Sequence, residues 1–285
     1  MLKLLAASVL VVALPWNAGA SGAAVCEAIG VAEGQFVSAD MAAELEIALG
    51  DGRYQEVAWA LREAGADGAA AGIESCLKWI MTEGQVISQK RYGKGISSTF
   101  RVELPLGVSG IFKWQRGGRG CWSHEVAAYD LDQRLGFHQV PMTVQREVHG
   151  REGSLQYFMN DARPSYRTGN PKKTVELVTL DILIDNEDRH DGNWLFYDFL
   201  GKERLVAIDH NLTFGCRTHS KMQPKMLEVL SPRVARQLLG ILESLSPYGL
   251  ELILKPYVTR QRAIERALDT RAQVIEVLRD RAESH

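Results

Sequence analysis

Hydrophobic residues in the first third of the chain recur at the spacing of a helix. Met41, Leu45 and Leu49 are four residues apart, and similar spacing continues to about Glu83. Residues three or four apart lie on one face of an α-helix, so we predict a small helical segment over residues 21–84.

The pattern changes at Gln85 to short apolar runs that are joined by turns containing glycine. Runs of this kind predict antiparallel strands. They occur at 86–87, 99–102, 110–114, 142–146 and 155–159. One helix interrupts the strands, from Ser123 as its N-cap residue to Leu135, with Gly136 as its stop.

The second half of the chain is predicted to be mostly helical, with one hairpin. An apolar helix covers residues 176–184, and further helices follow Ser231. Between them, the apolar runs 194–197 and 205–208 flank a turn that contains Gly201, which predicts a β-hairpin. This order of helices, antiparallel strands with one helix, and helices with a hairpin indicates an α+β fold.

The N-terminus has the features of a secretory signal peptide. A lysine at position 3 precedes an apolar run from Leu4 to Leu14, and Ala18-Gly19-Ala20 has the form of a cleavage site. The run is shorter than the roughly 20 residues that a membrane-spanning helix needs. We therefore predict a cleaved signal peptide at residues 1–20, a secreted or periplasmic location, and a mature form that does not span a membrane.

The composition fits an ordinary globular protein. The 285 residues are 46% hydrophobic and 24% charged, and the formal net charge is −2. Proteins that bind nucleic acid commonly carry an excess of positive charge. We therefore expect no nucleic-acid partner.

Four cysteines are present, and none of them forms a C-x-x-C pair. They are Cys26, Cys76, Cys121 and Cys216. In an exported protein an even number of cysteines favours disulfides over metal ligation. Four cysteines allow three connectivities, and their spacing does not choose among them.

The most informative segment is the polar run 185–193, which ends where the predicted hairpin begins. A hairpin that turns at Gly201 places Asn193, at the start of one strand, opposite Asp209, at the end of the other. Asp188 lies in the preceding loop and can approach both. Carboxylate and amide oxygens are the ligands that Mg²⁺ takes when phosphate oxygens complete its coordination.

A calcium-binding EF-hand loop is an alternative explanation for this acidic run. Counted from Asp185, its sixth position would be His190 instead of glycine, and its twelfth would be Phe196 instead of glutamate. These departures exclude an EF-hand. We predict instead that His190 has a structural role, holding the loop by a hydrogen bond.

The order of Asp188, Asn193 and Asp209 resembles the catalytic and metal-binding residues of the protein-kinase-like superfamily. Asp188-Arg189-His190 reverses the His-Arg-Asp order of conventional kinases. It is similar to the atypical branches: the phosphatidylinositol 3-/4-kinases, the HipA-type kinases and the secretory-pathway kinases related to Golgi casein kinase. The resemblance implies a bilobal fold, ATP with Mg²⁺ or Mn²⁺, Asp188 as a catalytic residue, and Asn193 and Asp209 as metal ligands.

The resemblance extends upstream. Lys113 stands where these kinases have the catalytic lysine that pairs with the α/β-phosphates, and Glu125 stands where they have the helix glutamate that orients it. Gly93 and Gly95 match a glycine-containing turn over the phosphates. The resemblance also implies a hinge where adenine docks, formed by Gln156, Tyr157, Phe158 and Met159.

The resemblance divides the chain and implies one disulfide. The kinase-like N-lobe covers residues 85–160 and the C-lobe residues 161–285. In such a fold the segment after Asp209 lies near the start of the Glu125 helix, so the resemblance implies a bond between Cys121 and Cys216. Cys26 would then pair with Cys76.

The activity that the resemblance implies is transfer of the γ-phosphoryl group of ATP to a hydroxyl acceptor, with protein Ser/Thr as the preferred acceptor. A phosphoinositide acceptor is one alternative. A nucleotide-binding pseudokinase, or an enzyme of this fold that transfers another part of ATP, is another. The chain departs from conventional and phosphoinositide kinases after Asp209, where His210-Asn211 replaces Phe-Gly.

Overall fold

The structure is a computed structural model that describes residues 38–93, 98–114, 121–164, 171–186, 188–216 and 224–284. The predicted signal peptide, Cys26 and Gly95 lie outside these residues. Within the described ranges, no helix combines the length and the apolar character needed to cross a bilayer.

In the first half of the chain, the residues that the structure describes form four helices and five strands. In order, they are α1 Ala39–Gly50, α2 Tyr54–Glu63, α3 Asp67–Glu83, β1 Ser88–Arg91, β2 Ser98–Glu103, β3 Ser109–Trp114, α4 Trp122–Leu135, β4 Thr143–Val148 and β5 Arg151–Tyr157. The helices before residue 84 and the strands after it follow the predicted change of pattern.

The second half is mostly helical. Its elements are β6 Arg163–Pro164, α5 Pro171–Leu183, β7 Trp194–Phe199, β8 Lys202–Ala207, α6 Pro232–Ser244, α7 Pro247–Leu254 and α8 Gln261–Glu283, with short 3₁₀ turns at Asp191–Asn193 and Pro224–Val229. Helix α5 begins five residues before its predicted start, at a proline, which suits the first position of a helix. The predicted α+β fold is confirmed.

The main sheet has five antiparallel strands in the order β1-β2-β3-β5-β4. Its register pairs Ile111 with Gln156 and Phe112 with Leu155. Because side chains alternate along a strand, Lys113 shares a face with Ile111 and Gln156, and Phe112 and Leu155 lie on the opposite face.

Helices α1 to α3 cover the Phe112 face of this sheet. Trp59 and Leu77 are buried with Phe112 in one hydrophobic core. The turn after α1 approaches the β2–β3 turn so closely that a Cβ on Gly52 would lie 2.4 Å from the carbonyl oxygen of Gly107. The helical segment is therefore packed into the sheet, and the Lys113 face is turned toward the C-terminal half.

A second hydrophobic core joins α4 to the C-terminal helices. Ala128 and Leu131 of α4 are buried with Leu180, Leu238 and Leu250. Helix α4 also packs against β4 and β5 of the main sheet. This helix therefore connects the two halves of the molecule.

Helix α4 starts differently from the prediction. It begins at Trp122 with Cys121 in the cap position, and Ser123 is not the N-cap. The Ser123 hydroxyl donates instead to the carbonyl oxygen of Tyr257, at 2.8 Å. The predicted stop is confirmed, because Gly136 ends the helix with a left-handed φ of 70°.

The predicted hairpin is present, but its register is shifted by one residue. Its two-residue turn consists of Leu200 and Gly201, with φ of 55° and 69°, as a type I′ turn requires. The centre of the hairpin therefore lies between these residues, and the Ile208 N–H donates to the Asn193 carbonyl at 3.2 Å. The prediction that Asn193 faces Asp209 is wrong by this one position.

Candidate active site

Lys113 joins three distant parts of the chain. Its Nζ lies 2.5 Å from Glu125 Oε1 on α4 and 2.8 Å from Asp209 Oδ1 after β8. The Lys113 side chain is 13% exposed and that of Glu125 is 1% exposed, whereas the Asp209 side chain is 35% exposed. The structure thus brings together three of the predicted site residues.

The charges of this triad stabilise each other. Burial opposes the charged form of Lys113, but the carboxylates of Glu125 and Asp209 outweigh it and raise the pKa of the amine. Burial likewise opposes the charged form of Asp209, but the Lys113 ammonium outweighs it and lowers the pKa of that carboxyl group. Both groups are therefore charged at neutral pH.

Glu125 holds more than Lys113. Its second oxygen, Oε2, accepts the backbone N–H of His210 at 3.1 Å. The same carboxylate therefore fixes the lysine of the sheet and the segment that carries Asp209.

Asp209 has a strained backbone. Its φ is 62°, in the left-handed region that residues other than glycine adopt rarely. Such strain persists only where the surroundings impose it, and it concentrates at functional sites. Here the bond to Lys113 and the hydrogen bond between the next residue and Glu125 hold the conformation.

Asp188 and Asn193 are connected through the loop between them. Asn193 Nδ2 donates to the Asp188 carbonyl at 2.8 Å. This bond uses the amide nitrogen of Asn193, so the amide oxygen can accept from, or coordinate, another group. The Asp188 N–H donates to Asn186 Oδ1 at 3.1 Å. His190 Nδ1 accepts the Gly192 N–H at 3.0 Å, which is the loop-holding hydrogen bond predicted for it.

A buried ion pair that the sequence analysis missed supports this loop. Arg189 donates to both carboxylate oxygens of Asp181, each at 2.9 Å. It also donates to the carbonyls of Asn193 at 2.7 Å and Ile208 at 2.9 Å, at the paired ends of the hairpin strands. Arg189 therefore fixes the hairpin end next to Asp209. The available signal was an aspartate, Asp181, flanked by the apolar residues Leu180 and Ile182 near the end of α5.

The donor set fits a hard divalent cation. Asn193 lies one residue out of register from Asp209 across the hairpin. An amide oxygen and a carboxylate are donor types that Mg²⁺ takes in proteins. We therefore retain both residues as candidate metal ligands.

Only some of the residues predicted to bind the nucleotide lie on the Lys113 face of the sheet, and Gln156 is one of them. Gly93 is exposed at the end of β1 with φ of 75°. Gln156 is buried, and its amide donates to Thr143 Oγ1 at 3.0 Å. The ring of Phe158 lies 4.4 Å from the Arg101 guanidinium carbon and 5.7 Å from the Tyr92 ring.

Two of the predicted hinge side chains point elsewhere. The Tyr157 hydroxyl donates to Glu56 Oε2 at 2.8 Å and approaches the Gly52 carbonyl at 2.9 Å, both in the helical segment. Met159 is buried in the core that those helices share with the sheet. At these two positions only the backbone can face a nucleotide.

The implied disulfide between Cys121 and Cys216 is confirmed, with the two Cα atoms 6.4 Å apart. It connects the start of α4 to the segment after Asp209, and the Cys121 N–H also donates to the Asn211 carbonyl at 3.0 Å. Cys76 is disulfide-bonded as well. Its predicted partner, Cys26, lies outside the described residues.

His124 adds a third connection between these segments. Its Nδ1 lies 2.9 Å from the Thr213 carbonyl, and because a carbonyl only accepts, this nitrogen carries the proton. Burial lowers the pKa of His124 to about 4. The imidazole is therefore neutral in the folded protein at neutral pH.

Comparison with known proteins gives likeness in structure but not in sequence. No protein-family model and no curated protein matches the chain. A Golgi casein kinase with Mn/ADP bound superposes with a TM-score of 0.53 at 16% identity, over 75% of this chain and 78% of that one. Hydra Fam20 with sugar has a TM-score of 0.53 at 16% identity, over 75% of this chain and 91% of the other.

A bacterial kinase is similar to this chain in structure to about the same degree. The Helicobacter pylori proinflammatory kinase CtkA superposes with a TM-score of 0.50 at 14% identity, over 71% of this chain and 97% of the other. At these identities the likeness establishes the fold alone. The chain therefore has the same overall fold as these kinases.

Proposed function

We propose that this protein is an exported kinase that binds ATP with Mg²⁺ or Mn²⁺ and transfers the γ-phosphoryl group to a hydroxyl acceptor, with protein Ser/Thr preferred. The observation that carries the proposal is the contact of Lys113 Nζ with Glu125 at 2.5 Å and Asp209 at 2.8 Å. A lysine held between a helix glutamate and a metal-binding aspartate is the arrangement that phosphoryl transfer uses.

Each residue has a distinct role in this proposal. Lys113, oriented by Glu125, neutralises the α/β-phosphates, and Asn193 and Asp209 hold the metal ion. The bound ion supplies neutralisation of the charge on the phosphate oxygens. Asp188 orients the acceptor hydroxyl and accepts its proton. The acceptor oxygen bonds to the γ-phosphorus, the bond from that phosphorus to the bridging oxygen breaks, and ADP leaves.

The position of Asp188 supports its role as the base. It is half-buried, and its backbone is fixed on both sides, by Asn186 and Asn193. Within the described residues its carboxylate has no hydrogen bond or ion pair, so it is available to a hydroxyl group. A positioned base with a free carboxylate is what the transfer step needs.

Export is part of the proposal for two reasons. The first 20 residues have the pattern of a signal peptide. The disulfide between Cys121 and Cys216 also favours an oxidising compartment.

The test is incubation of the protein with γ-labelled ATP and Mg²⁺ or Mn²⁺, with a casein-like protein and phosphoinositide vesicles offered in parallel. Asp188→Ala and Asp209→Ala should abolish labelling. Asp191→Ala is the matched control, because Asp191 is an exposed acid in the same loop. It should label as the unmodified protein does.

The outcomes separate the candidate activities. Label on protein but not on lipid supports the protein kinase, and label on lipid alone supports a phosphoinositide kinase. No label, combined with a rise in melting temperature on adding ATP and metal, indicates a nucleotide-binding pseudokinase. If the protein shows no labelling and no thermal shift with ATP and metal, nucleotide binding is refuted altogether.

A further inference from the structure

We infer that His210 is a positioning residue, which couples Glu125 on α4 to Arg189 in the catalytic loop through the two nitrogens of its imidazole. The inference rests on the proposed function, because it assigns a role within the same site. His210 occupies the position after Asp209 where conventional kinases have a phenylalanine.

The position of the hydrogens on His210 follows from its neighbours. Its Nε2 lies 2.9 Å from Arg189 Nη2, and a guanidinium has only donors. Nε2 must therefore be the acceptor, which places the imidazole proton on Nδ1. The side chain is fully buried, so bulk water does not compete for either ring nitrogen.

The protonated nitrogen points toward Glu125. His210 Nδ1 lies 3.9 Å from Glu125 Oε2, and it has no hydrogen-bond partner in the described structure. A buried donor without a partner is costly, and a small shift of Glu125 toward His210 would satisfy it. The same Glu125 oxygen already accepts the backbone N–H of His210 at 3.1 Å.

These contacts give His210 a function that a phenylalanine cannot perform. Arg189 holds the hairpin end beside Asp209, and Glu125 holds Lys113. The imidazole lies between the two charged groups and offers an acceptor to one and a donor to the other. It therefore couples the position of the phosphate-binding lysine to the position of the metal-binding loop.

Three substitutions separate this role from simple filling of space. His210→Phe keeps an aromatic ring and removes both the acceptor at Arg189 and the donor that faces Glu125. His210→Gln keeps an acceptor near the position of Nε2, toward Arg189, and His210→Asn keeps a donor near the position of Nδ1, toward Glu125. If one variant fails to fold, the other two still test the separate links.

We expect His210→Phe to lower kcat/KM for ATP by about tenfold or more, which is the effect of one hydrogen bond to a charged group. The two single-link variants should lose less. His210→Phe should also lower the melting temperature, because the Arg189 Nη2 donor is left buried without its acceptor. A loss of kcat/KM that persists well below the melting temperature of the variant distinguishes positioning from a purely structural role.

A second measurement does not depend on catalysis. In the absence of nucleotide, hydrogen exchange of the α4 amides should be faster in His210→Phe than in the unmodified protein, because the helix has lost a connection to the loop. If the unmodified protein does not bind ATP, the proposed function fails, but the exchange measurement still decides whether His210 places α4. If the protein binds ATP, unchanged kcat/KM together with unchanged α4 exchange in His210→Phe would overturn the inference. If it does not bind ATP, unchanged α4 exchange in His210→Phe is enough to overturn it.

Discussion

Removal of the disulfide between Cys121 and Cys216 should destabilise the protein strongly, chiefly through the unfolded state. The bond joins residues 95 positions apart. For a loop of this length, the chain-entropy relation gives about 4.7 kcal/mol at room temperature. Since small domains commonly have free energies of unfolding of about 5–15 kcal/mol, the double variant Cys121→Ser/Cys216→Ser should lose a large part of its stability.

The effect on the folded site should be much smaller. Three hydrogen bonds join the same two segments without the disulfide: Cys121 N–H to the Asn211 carbonyl, His124 Nδ1 to the Thr213 carbonyl, and His210 N–H to Glu125. They hold α4 against the segment after Asp209 in the native state. We therefore expect KM for ATP to change by less than about threefold well below the melting temperature.

Urea-induced unfolding of the oxidised protein and of the double variant measures the difference. Adding a reductant to the double variant shows what reduction of the Cys76 bond contributes, because Cys76 is disulfide-bonded independently. A loss below about 1 kcal/mol at an unchanged urea dependence would refute the loop-entropy reasoning. A large rise in KM for ATP would instead show that the disulfide itself places the site.

Three further substitutions test other contacts. Arg189→Met should lower the free energy of unfolding, measured by urea-induced unfolding, by about 3–5 kcal/mol, because it leaves the Asp181 carboxylate buried without its ion pair. Tyr157→Phe should cost about 1–3 kcal/mol by removing the hydroxyl bonded to Glu56, and it should leave KM for ATP unchanged because that side chain faces the helical segment. His124→Asn keeps a donor near Nδ1 but cannot titrate. Since burial lowers the pKa of His124 from 6.5 to about 4, the unfolded state takes up a proton first as the pH falls. Between pH 6.5 and pH 4, the free energy of unfolding should therefore fall by about 3 kcal/mol more in the unmodified protein than in the variant. Parallel pH profiles of the two free energies of unfolding would contradict a neutral, buried His124.

The elements that the sequence predicted well are those with local signals. The hairpin has apolar runs on each side of a glycine turn, and α4 ends at Gly136 as its sequence indicates. The predicted register of the hairpin was wrong by one residue, because the turn type depends on a positive φ at Leu200. A leucine side chain does not indicate that conformation. Local pattern therefore located the hairpin but not its pairing.

The contacts that the sequence did not predict are those made across the fold. Asp181 lies in α5 and Arg189 in the loop that follows, and only the folded structure shows that this aspartate, flanked by apolar residues, is paired. The Tyr157 and Met159 side chains were expected at the nucleotide, but the helices before the sheet bury both on its other face. Which face of a strand is covered depends on tertiary packing, and alternation alone does not decide it.

The unequal attachment of the two carboxylates that share Lys113 explains how the site can exchange partners. Glu125 is 1% exposed and also binds the His210 N–H, whereas Asp209 is 35% exposed. In the proposed reaction, a divalent cation replaces the ammonium group at Asp209, and a phosphate replaces the Asp209 carboxylate at Lys113. Each exchange substitutes a charge of the same sign, so neither carboxylate nor amine is left buried without a counter-charge. Glu125 keeps its bond to Lys113 throughout, which is why we assign orientation of the lysine to Glu125 and metal binding to Asp209.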